Sequence, residues 1–196
     1  MRDLHKSAVK QLLIPSFFLP LLLSGCASII DATSDHPIEE YEGTRTLGSA
    51  VEDESIELKV AVNLRKASDT LKDANVDIVS FNGSVLLVGE VPDEQAKRLA
   101  GETASKIRQV KKVYNELRVA GATSWLSRSN DLWITTKVST QMTMDPDFPS
   151  SRVKVVTENG VVYLLGLVNE TEAAHAIDLV QQIYGVERIV KLFEYI

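Results

Sequence analysis

The chain is poor in the residues that most often carry chemistry. Its 196 residues include one cysteine and three histidines. One cysteine cannot form an intramolecular disulfide, and a free thiol is a liability in an oxidising compartment. His5, His36 and His175 stand far apart, and none has ligand spacing to another histidine or to carboxylates. We therefore predict no metal site, no cofactor and no catalytic residue.

Motifs for phosphate binding and for acid–base catalysis are missing as well. None of the ten glycines belongs to a G-x-G-x-x-G segment after a strand. The acidic pairs lie at predicted helix starts, where the helix dipole accounts for them. The formal net charge is −6, whereas a general nucleic-acid binder carries a basic stripe. We expect neither an enzyme with a small-molecule substrate nor a nucleic-acid partner.

No apolar run is long enough to span a bilayer. The run over residues 12–23 is interrupted by two prolines, and a spanning helix needs roughly 20 apolar residues. Arg2, Lys6 and Lys10 precede the run, and small residues follow it, which is typical of a secretory signal peptide. Residues 1–25 are therefore predicted to be a signal peptide.

The single cysteine, Cys26, closes that segment. The tetrapeptide LSGC, residues 23–26, resembles the bacterial lipobox, and this resemblance implies that Cys26 is acylated and becomes the new N-terminus. Each buried acyl CH₂ contributes about 0.8 kcal/mol, so several chains hold a protein permanently. Ala27 in the next position resembles the outer-membrane sorting rule. We expect a lipid-anchored outer-membrane protein that faces the periplasm.

The chain that remains after signal removal is acidic. It has 171 residues, enough for one domain or two small ones, and a formal net charge of −8. Residues 26–51 are polar and show no sustained apolar period, so we predict a lipidated N-terminus followed by a flexible tether. Anionic lipid repels such a chain on average. Any site for anionic lipid must therefore be local.

An internal repeat fills the rest of the chain. Residues 76–91 and 153–168 are identical at eight of sixteen positions, at a constant offset of 77. Each copy carries Asn-Gly between β-branched runs, which is the strongest short-range signal for a β-hairpin. The two predicted turns are Asn82-Gly83 and Asn159-Gly160.

One face of each hairpin is predicted to be core. The repeated apolar residues alternate along the strands, and Gly89 and Gly166 lie on the same face. A glycine inside a strand often marks a close backbone approach, which we expect to come from a crossing helix. The repeated apolar positions in the first copy are Val76, Val85, Leu87 and Val91.

A helix is predicted before and after each hairpin, and a third strand closes each unit. The first helices show apolar residues at i, i+4 and i+8, and Asn169 with Glu172 forms a capping-box pattern. The units read αββαβ and are assigned to residues 52–120 and 130–196, with a linker at 121–129. The first-helix stripes are Ile56, Val60 and Leu64, then Ile134, Val138 and Met142.

This repeated unit resembles the BON domain, through VLLVGEV and VYLLGLV with their central glycine and the closing strand of the form V..V.N.L. The resemblance implies an α+β fold of two tandem αββαβ domains, each a small three-stranded mixed sheet packed by two helices. It also implies a non-catalytic envelope protein. Such a protein binds an anionic phospholipid membrane through the first helix of its second domain and supports outer-membrane integrity, including at the division site. The alternative is an adaptor for other envelope proteins, such as an assembly machine or a cell-wall enzyme regulator.

The first helix of the second copy carries the candidate lipid site. Trp133 aligns with Ser55 of the first copy and lies about 100° from the core stripe on a helical wheel. Trp133 either packs against a neighbouring domain or meets lipid headgroups beside Lys137. Asn130 is predicted to cap the helix and to leave backbone N–H groups for phosphate. The predicted lipid-binding residues are Arg128, Trp133, Thr136, Lys137, Thr140, Gln141 and Met144.

Overall fold

A computed structural model describes residues 45–120 and 125–196, with side chains from residue 128 onward in the second range. No helix among these residues is long and apolar enough to cross a membrane. The segments outside the described residues are the signal peptide 1–25, Cys26, the tether residues 27–44 and the linker residues 121–124.

The first unit is an αββαβ arrangement with one extra short helix. β1 and β2 form an antiparallel hairpin, and the returning strand, split into β3 and β4, pairs in parallel with β2. The bounds are α1 Leu47–Ala67, α2 Asp69–Asp73, β1 Asn75–Phe81, β2 Ser84–Val91, α3 Glu94–Ser105, β3 Lys112–Asn115 and β4 Arg118–Val119.

The second unit repeats this order with an unbroken last strand. β5 pairs antiparallel with β6, and β7 pairs in parallel with β6 along its whole length. The predicted fold of two small mixed sheets, each packed by helices, is confirmed. The bounds are α4 Trp125–Met144, a 3₁₀ turn Ser150–Arg152, β5 Val153–Glu158, β6 Val161–Val168, α5 Glu170–Gln181 and β7 Arg188–Tyr195.

Both first helices begin earlier than the sequence suggested. Thr46 caps α1, since its Oγ1 accepts a hydrogen bond from the Ser49 N–H at 3.1 Å, so the helix starts inside the predicted tether. The prediction that Asn130 caps α4 is wrong, because α4 begins at Trp125 and Asn130 lies more than one turn inside it. Backbone N–H groups at that depth are paired within the helix and are not available to phosphate.

The predicted core stripes of the first helices are confirmed. In both units these side chains are buried against the helix-facing side of the sheet. The capping box of Asn169 and Glu172 is also present at the start of α5. The buried stripe residues are Ile56, Val60 and Leu64 in α1, and Ile134, Val138 and Met142 in α4.

The hairpin turns have the expected backbone, but the strand glycines have a different neighbour. Both Asn-Gly turns show positive φ at both central residues, as a type I′ turn requires. A Cβ at Gly89 would lie 2.1 Å from the carbonyl oxygen of Asn75, and one at Gly166 would lie 2.6 Å from that of Arg152. These carbonyls belong to the start of the paired strand or the residue just before it. The close approach therefore comes from the hairpin itself and not from a crossing helix.

A buried carboxylate ties α1 to the first turn. Asp53 accepts hydrogen bonds from the backbone N–H of Asn82 at 2.8 Å and of Gly83 at 2.9 Å. The Ser80 hydroxyl donates to it at 2.7 Å, and the Arg45 guanidinium lies at 2.9 Å. Burial alone raises the pKa of Asp53, but the hydrogen bonds from Ser80 and the turn amides, with the Arg45 charge, outweigh it and hold the pKa below its usual value.

The second unit uses the same clamp. The Asp131 carboxylate in α4 accepts hydrogen bonds from the N–H groups of Asn159 and Gly160, both at 2.8 Å. The central amides of a type I′ turn have no partner within the hairpin, and buried amides must be satisfied. In both units the first helix supplies this partner and is thereby fixed over the sheet.

The second face of each sheet is also buried, because the two sheets pack against each other. Along β2 and β6, residues that do not face the helices form one apolar cluster shared by both units. The helices therefore lie on the two outer sides. The sequence analysis placed the core on one face only, although the near-continuous apolar run in β2 and β6 is typical of strands buried on both faces. The cluster contains Phe81, Leu86, Val88, Tyr163, Leu165 and Leu192.

Two buried carboxyl groups meet at the interface of the units. The Asn159 side-chain amide donates to Glu90 Oε1 at 3.0 Å and to Glu158 Oε1 at 2.8 Å. Burial is the main reason that the pKa of Glu158 is raised to about 7, and the charge of Glu90 adds to it. The nearby carboxylates of Asp131 and Asp77 act in the same direction. Glu158 therefore holds its proton well above the usual range of a carboxyl group.

The clamp in the second unit gives a stability prediction. Asp131→Ala leaves two turn amides without a partner, and each such group costs about 1 to 3 kcal/mol, so the free energy of unfolding should fall by about 2 to 6 kcal/mol. Urea denaturation measures the change. Asp178→Ala, at an exposed position of α5, is the control and should change stability by less than about 0.5 kcal/mol. Equal effects of the two substitutions would contradict the clamp.

The carboxyl pair predicts a pH dependence. The pKa of Glu158 is about 7 in the folded chain, against an ordinary value of 4.5, so its stabilisation is complete below pH 4.5 and is lost as the pH rises through 7. Glu158→Gln resembles the protonated acid and should be more stable than the wild type at pH 8, by up to about 3 kcal/mol. Urea denaturation from pH 4.5 to 8 tests this, with exposed Glu170→Gln as control. A Glu158→Gln variant that keeps the wild-type pH slope would refute the assignment.

Candidate functional site

The outward face of α4 is positioned by the contacts on its inward face. Asp131 holds the hairpin turn, and Ile134 is fully buried against the sheet. Trp133 lies about 160° from Asp131 and about 100° from Ile134 around the helix, at 100° per residue, and is left 44% exposed. Its indole is not sealed between the two units, because the sheets pack through their other faces. Packing of Trp133 against the first unit, which is one of the two interpretations left open by the sequence, is therefore not observed.

Trp133 and Lys137 form one composite surface. The Lys137 Nζ lies 5.8 Å from the centroid of the Trp133 ring, which is within the range of a cation–π contact. Residues spaced i, i+4 are neighbours on a helix, so this contact follows from the spacing. The pair presents an aromatic ring and an ammonium group to the same side of the helix.

The exposed surface of α4 is free of negative charge. Asp131 is the only acidic residue in Trp125–Met144, and its carboxylate is buried on the turn amides. In α1, by contrast, Glu52 and Glu54 are exposed. The net negative charge of the chain adds little to the electrostatic potential at the α4 surface, because charges more than about 8 to 10 Å away are screened at physiological salt. An acidic chain needs such a local separation of charge if it is to bind anionic lipid, and α4 shows it.

The structure brings most, but not all, of the predicted residues together. Thr140 and Met144 are exposed on the stripe of Trp133 and Lys137. Gln141 is turned toward α5, where its Nε2 donates to Gln182 Oε1 at 3.2 Å. Arg128 and Thr136 are exposed, but Arg128 lies about 140° from Trp133 at 100° per residue. The compact part of the site is therefore Trp133, Lys137, Thr140 and Met144.

Leu132 was missed by the sequence analysis. It is 69% exposed and precedes Trp133, so the apolar surface of α4 is wider than the predicted stripe. Thr136 lies one turn further along the helix. Its hydroxyl donates a hydrogen bond to the Leu132 carbonyl oxygen at 2.8 Å, so the hydroxyl is satisfied within the helix and the Thr136 methyl group can join the apolar surface. The signal was present in the sequence, since Leu132 lies opposite the core stripe and aligns with Glu54 of the first copy.

An open groove of about 760 Å³ runs along α4 on the side of α5. Lys137, Thr140 and Met144 form its α4 wall, and Asp178 lies on the far wall. At the end of the groove, His175 Nε2 lies 3.0 Å from Asp145 Oδ2, and its ring contacts Phe148 edge-on. The carboxylates of Asp145 and Asp178 make this end of the groove negative, whereas Lys137 is the cation on its α4 wall. Within the described ranges, no group of three or more His, Cys, Asp or Glu residues could hold a metal ion.

The chain is similar to known proteins over most of its length. The chain is 35% identical over 176 residues to the outer membrane lipoprotein DolP of Haemophilus influenzae, covering 90% of this chain and 91% of the relative. It is 33% identical over 152 residues to a protein named 21 kDa hemolysin from Actinobacillus pleuropneumoniae, covering 78% of each. A C-terminal domain of CdsD from Chlamydia trachomatis superposes with a TM-score of 0.31 at 10% identity, over 71% of this chain and 96% of that one, and supports no further argument.

The family model of the BON domain matches the two repeated units separately, at residues 52–121 and 130–196. These matches coincide with the two sheets and their helices. Together with the identity to DolP over most of both chains, they show that this protein belongs to the BON-domain family and is a dual-BON-domain, DolP-like protein.

Proposed function

We propose that this protein binds anionic phospholipid through the exposed face of α4. The observation that carries the proposal is the pairing of exposed Trp133 with the Lys137 ammonium on a helix whose one carboxylate is turned inward. An indole ring is favoured at headgroup depth, where its apolar body and its N–H are both satisfied. The ammonium is then placed among the phosphates.

The apolar residues around this pair supply the affinity. Leu132 and Met144 are 69% and 79% exposed, and they flank Trp133 along the helix. Such a helix lies in the plane of the interface, with its apolar side chains in the boundary between headgroups and acyl chains. The binding surface proposed here consists of Leu132, Trp133, Thr136, Lys137, Thr140 and Met144, with Arg128 at its far edge and Gln141 behind it.

The cellular setting follows from the sequence and the relatives. The outer-membrane, lipid-anchored localisation expected from the signal peptide agrees with the name of the H. influenzae relative, an outer membrane lipoprotein. The chain is accordingly assigned to the outer membrane. Acylation at Cys26, support of membrane integrity and a role at the division site belong to the proposal. An anchored chain meets lipid at high local concentration, so even a weak α4 site is occupied.

Trp133→Glu tests the lipid surface. The substitution should leave the fold intact, because the side chain is not in the core. It should weaken binding about tenfold or more, since burial of a large apolar side chain contributes about 1.5 kcal/mol or more and charge repulsion is added. NMR titration of residues 27–196 with anionic and zwitterionic micelles measures the effect, and wild-type shifts should concentrate at residues 130–144 with anionic micelles alone.

Leu58→Glu is the matched control. Leu58 is an exposed apolar residue at the equivalent of Thr136, on the first helix of the other unit, so its loss should leave lipid binding unchanged. Wild-type affinity in Trp133→Glu would refute the site. Shifts in the wild type that appear with an envelope protein but not with anionic micelles would favour the adaptor function instead.

Cys26→Ala tests the anchor separately from the α4 surface. Without an acylated cysteine, the chain should appear in the soluble periplasmic fraction or at the wrong membrane, because the α4 surface alone holds it reversibly. Fractionation with detection of the protein measures this, and Ser24→Ala serves as the control for signal processing. Full retention of Cys26→Ala in the outer membrane would contradict lipid anchoring at this residue.

A further inference from the structure

The outer edge of β7 differs from its counterpart in the first unit. β7 runs without a break over eight residues and forms one side of its sheet, and among the described residues no strand pairs with its outer edge. In the first unit the same edge is split into β3 and β4, with Leu117 buried between them. Broken edges prevent strand pairing, whereas a continuous edge presents a row of backbone groups that can receive another strand.

A groove of about 400 Å³ adjoins this edge, between β7 and α5. Its apolar lining comes from Ile177, Val186 and Ile189, which are half-buried. Lys191 stands at its rim on the strand side. A strand added to β7 would alternate its side chains, so that every second one on the α5 side could enter this groove.

The first unit closes the equivalent groove with its own side chain. Asn115, which holds the register position of Lys191, crosses to α3 and donates to the Lys97 carbonyl oxygen at 2.7 Å. Gly101 in α3 makes room for it, because a Cβ there would lie 2.8 Å from the Asn115 amide nitrogen. The second unit has Asp178 at the equivalent of Gly101. The open groove is thus not a requirement of the fold.

The charge at this edge selects an acidic partner. Arg188 and Lys191 are exposed on β7, and Glu187 is the one carboxylate among the residues that line the groove. Glu194, at the far end of the strand, accepts a hydrogen bond from the Asn82 side chain at 3.0 Å. An extended segment with acidic residues therefore meets two cations along the middle and start of β7.

We propose that the outer edge of β7 and the adjoining groove bind an extended acidic peptide segment of a partner protein as a fourth strand. Backbone hydrogen bonds to β7 hold the segment, an apolar side chain occupies the groove, and acidic side chains contact Arg188 and Lys191. This surface is built from β7 and α5 and does not include Trp133 or Lys137. The protein can therefore bind lipid through α4 and a protein segment through β7 independently.

Fluorescence anisotropy tests the proposal with the full lipidated chain in phosphatidylcholine nanodiscs. The probe is a fluorescein-labelled peptide about seven residues long to match the edge, with one valine for the groove and glutamate at the other positions, because Arg188 and Lys191 lie on opposite faces of β7. The wild type should bind it, and Arg188→Glu with Lys191→Glu should weaken binding about tenfold or more. Lys191→Asn combined with Asp178→Gly, which copies the Asn115 and Gly101 pair of the first unit, should weaken it as well. Lys112→Glu, at the position of Arg188 in the first unit, is the matched control and should bind normally.

Three results would overturn the proposal. The first is unchanged binding by the double Arg188 and Lys191 variant when circular dichroism shows it to be folded. The second is equal binding of a peptide that is N-methylated at every residue, which has no backbone N–H to donate to β7. The third is self-association of the wild type in analytical ultracentrifugation that the double Arg188 and Lys191 variant abolishes, which would identify a second copy of the chain as the occupant. The peptide affinity does not depend on the lipid site, so Trp133→Glu should bind the peptide as the wild type does even when it no longer binds lipid.

Discussion

The architecture depends on a carboxylate in each first helix that satisfies the amides of an Asn-Gly turn. A type I′ turn closes the hairpin tightly but exposes two N–H groups, and burial makes an unpaired amide expensive. Asp53 and Asp131 meet this requirement with two bonds each. The same bonds set the rotation of the helix over the sheet, because a carboxylate bound at one point fixes which residues lie toward the core. The phase of α4, and hence the outward direction of Trp133, follows from the clamp at Asp131.

Burial of both sheet faces sets where function can lie. The helix-facing sides form two separate cores, and the opposite sides form one shared apolar cluster. The free surfaces are therefore the outer faces of the helices and the edges of the sheets. Packing of the two sheets also buries Glu90 and Glu158. Because Glu158 stays protonated, two buried negative charges do not repel each other. The contact between the units is thus coupled to pH near neutrality.

Much of this fold could be predicted from periodicity and repetition. The turns, the apolar stripes and the αββαβ order depend on local rules, and each is visible twice in the chain. The N-cap at Asn130 was wrong because a Ser-Asn pair before an apolar run is typical of a cap, while tertiary contacts at Asp131 extend the helix beyond it. The internal repeat could not correct it, because the equivalent start of the first helix at Leu47 lies in the segment that was predicted to be a tether. The contact between Glu90 and Glu158 could not be predicted from the sequence, because these residues are 68 positions apart and meet only when the two sheets pack.

Divergence between the copies separates function from scaffold. A feature that both units retain, such as the clamp, serves the fold, whereas a feature of one unit needs another explanation. The exposed indole, the face of α4 without free carboxylates and the open edge of β7 all belong to the second unit. The first unit shows exposed acidic residues on α1 and a groove closed by Asn115. Since a duplicated scaffold already supplies stability and burial to its partner, the second copy was free to change its outer surfaces without weakening the core.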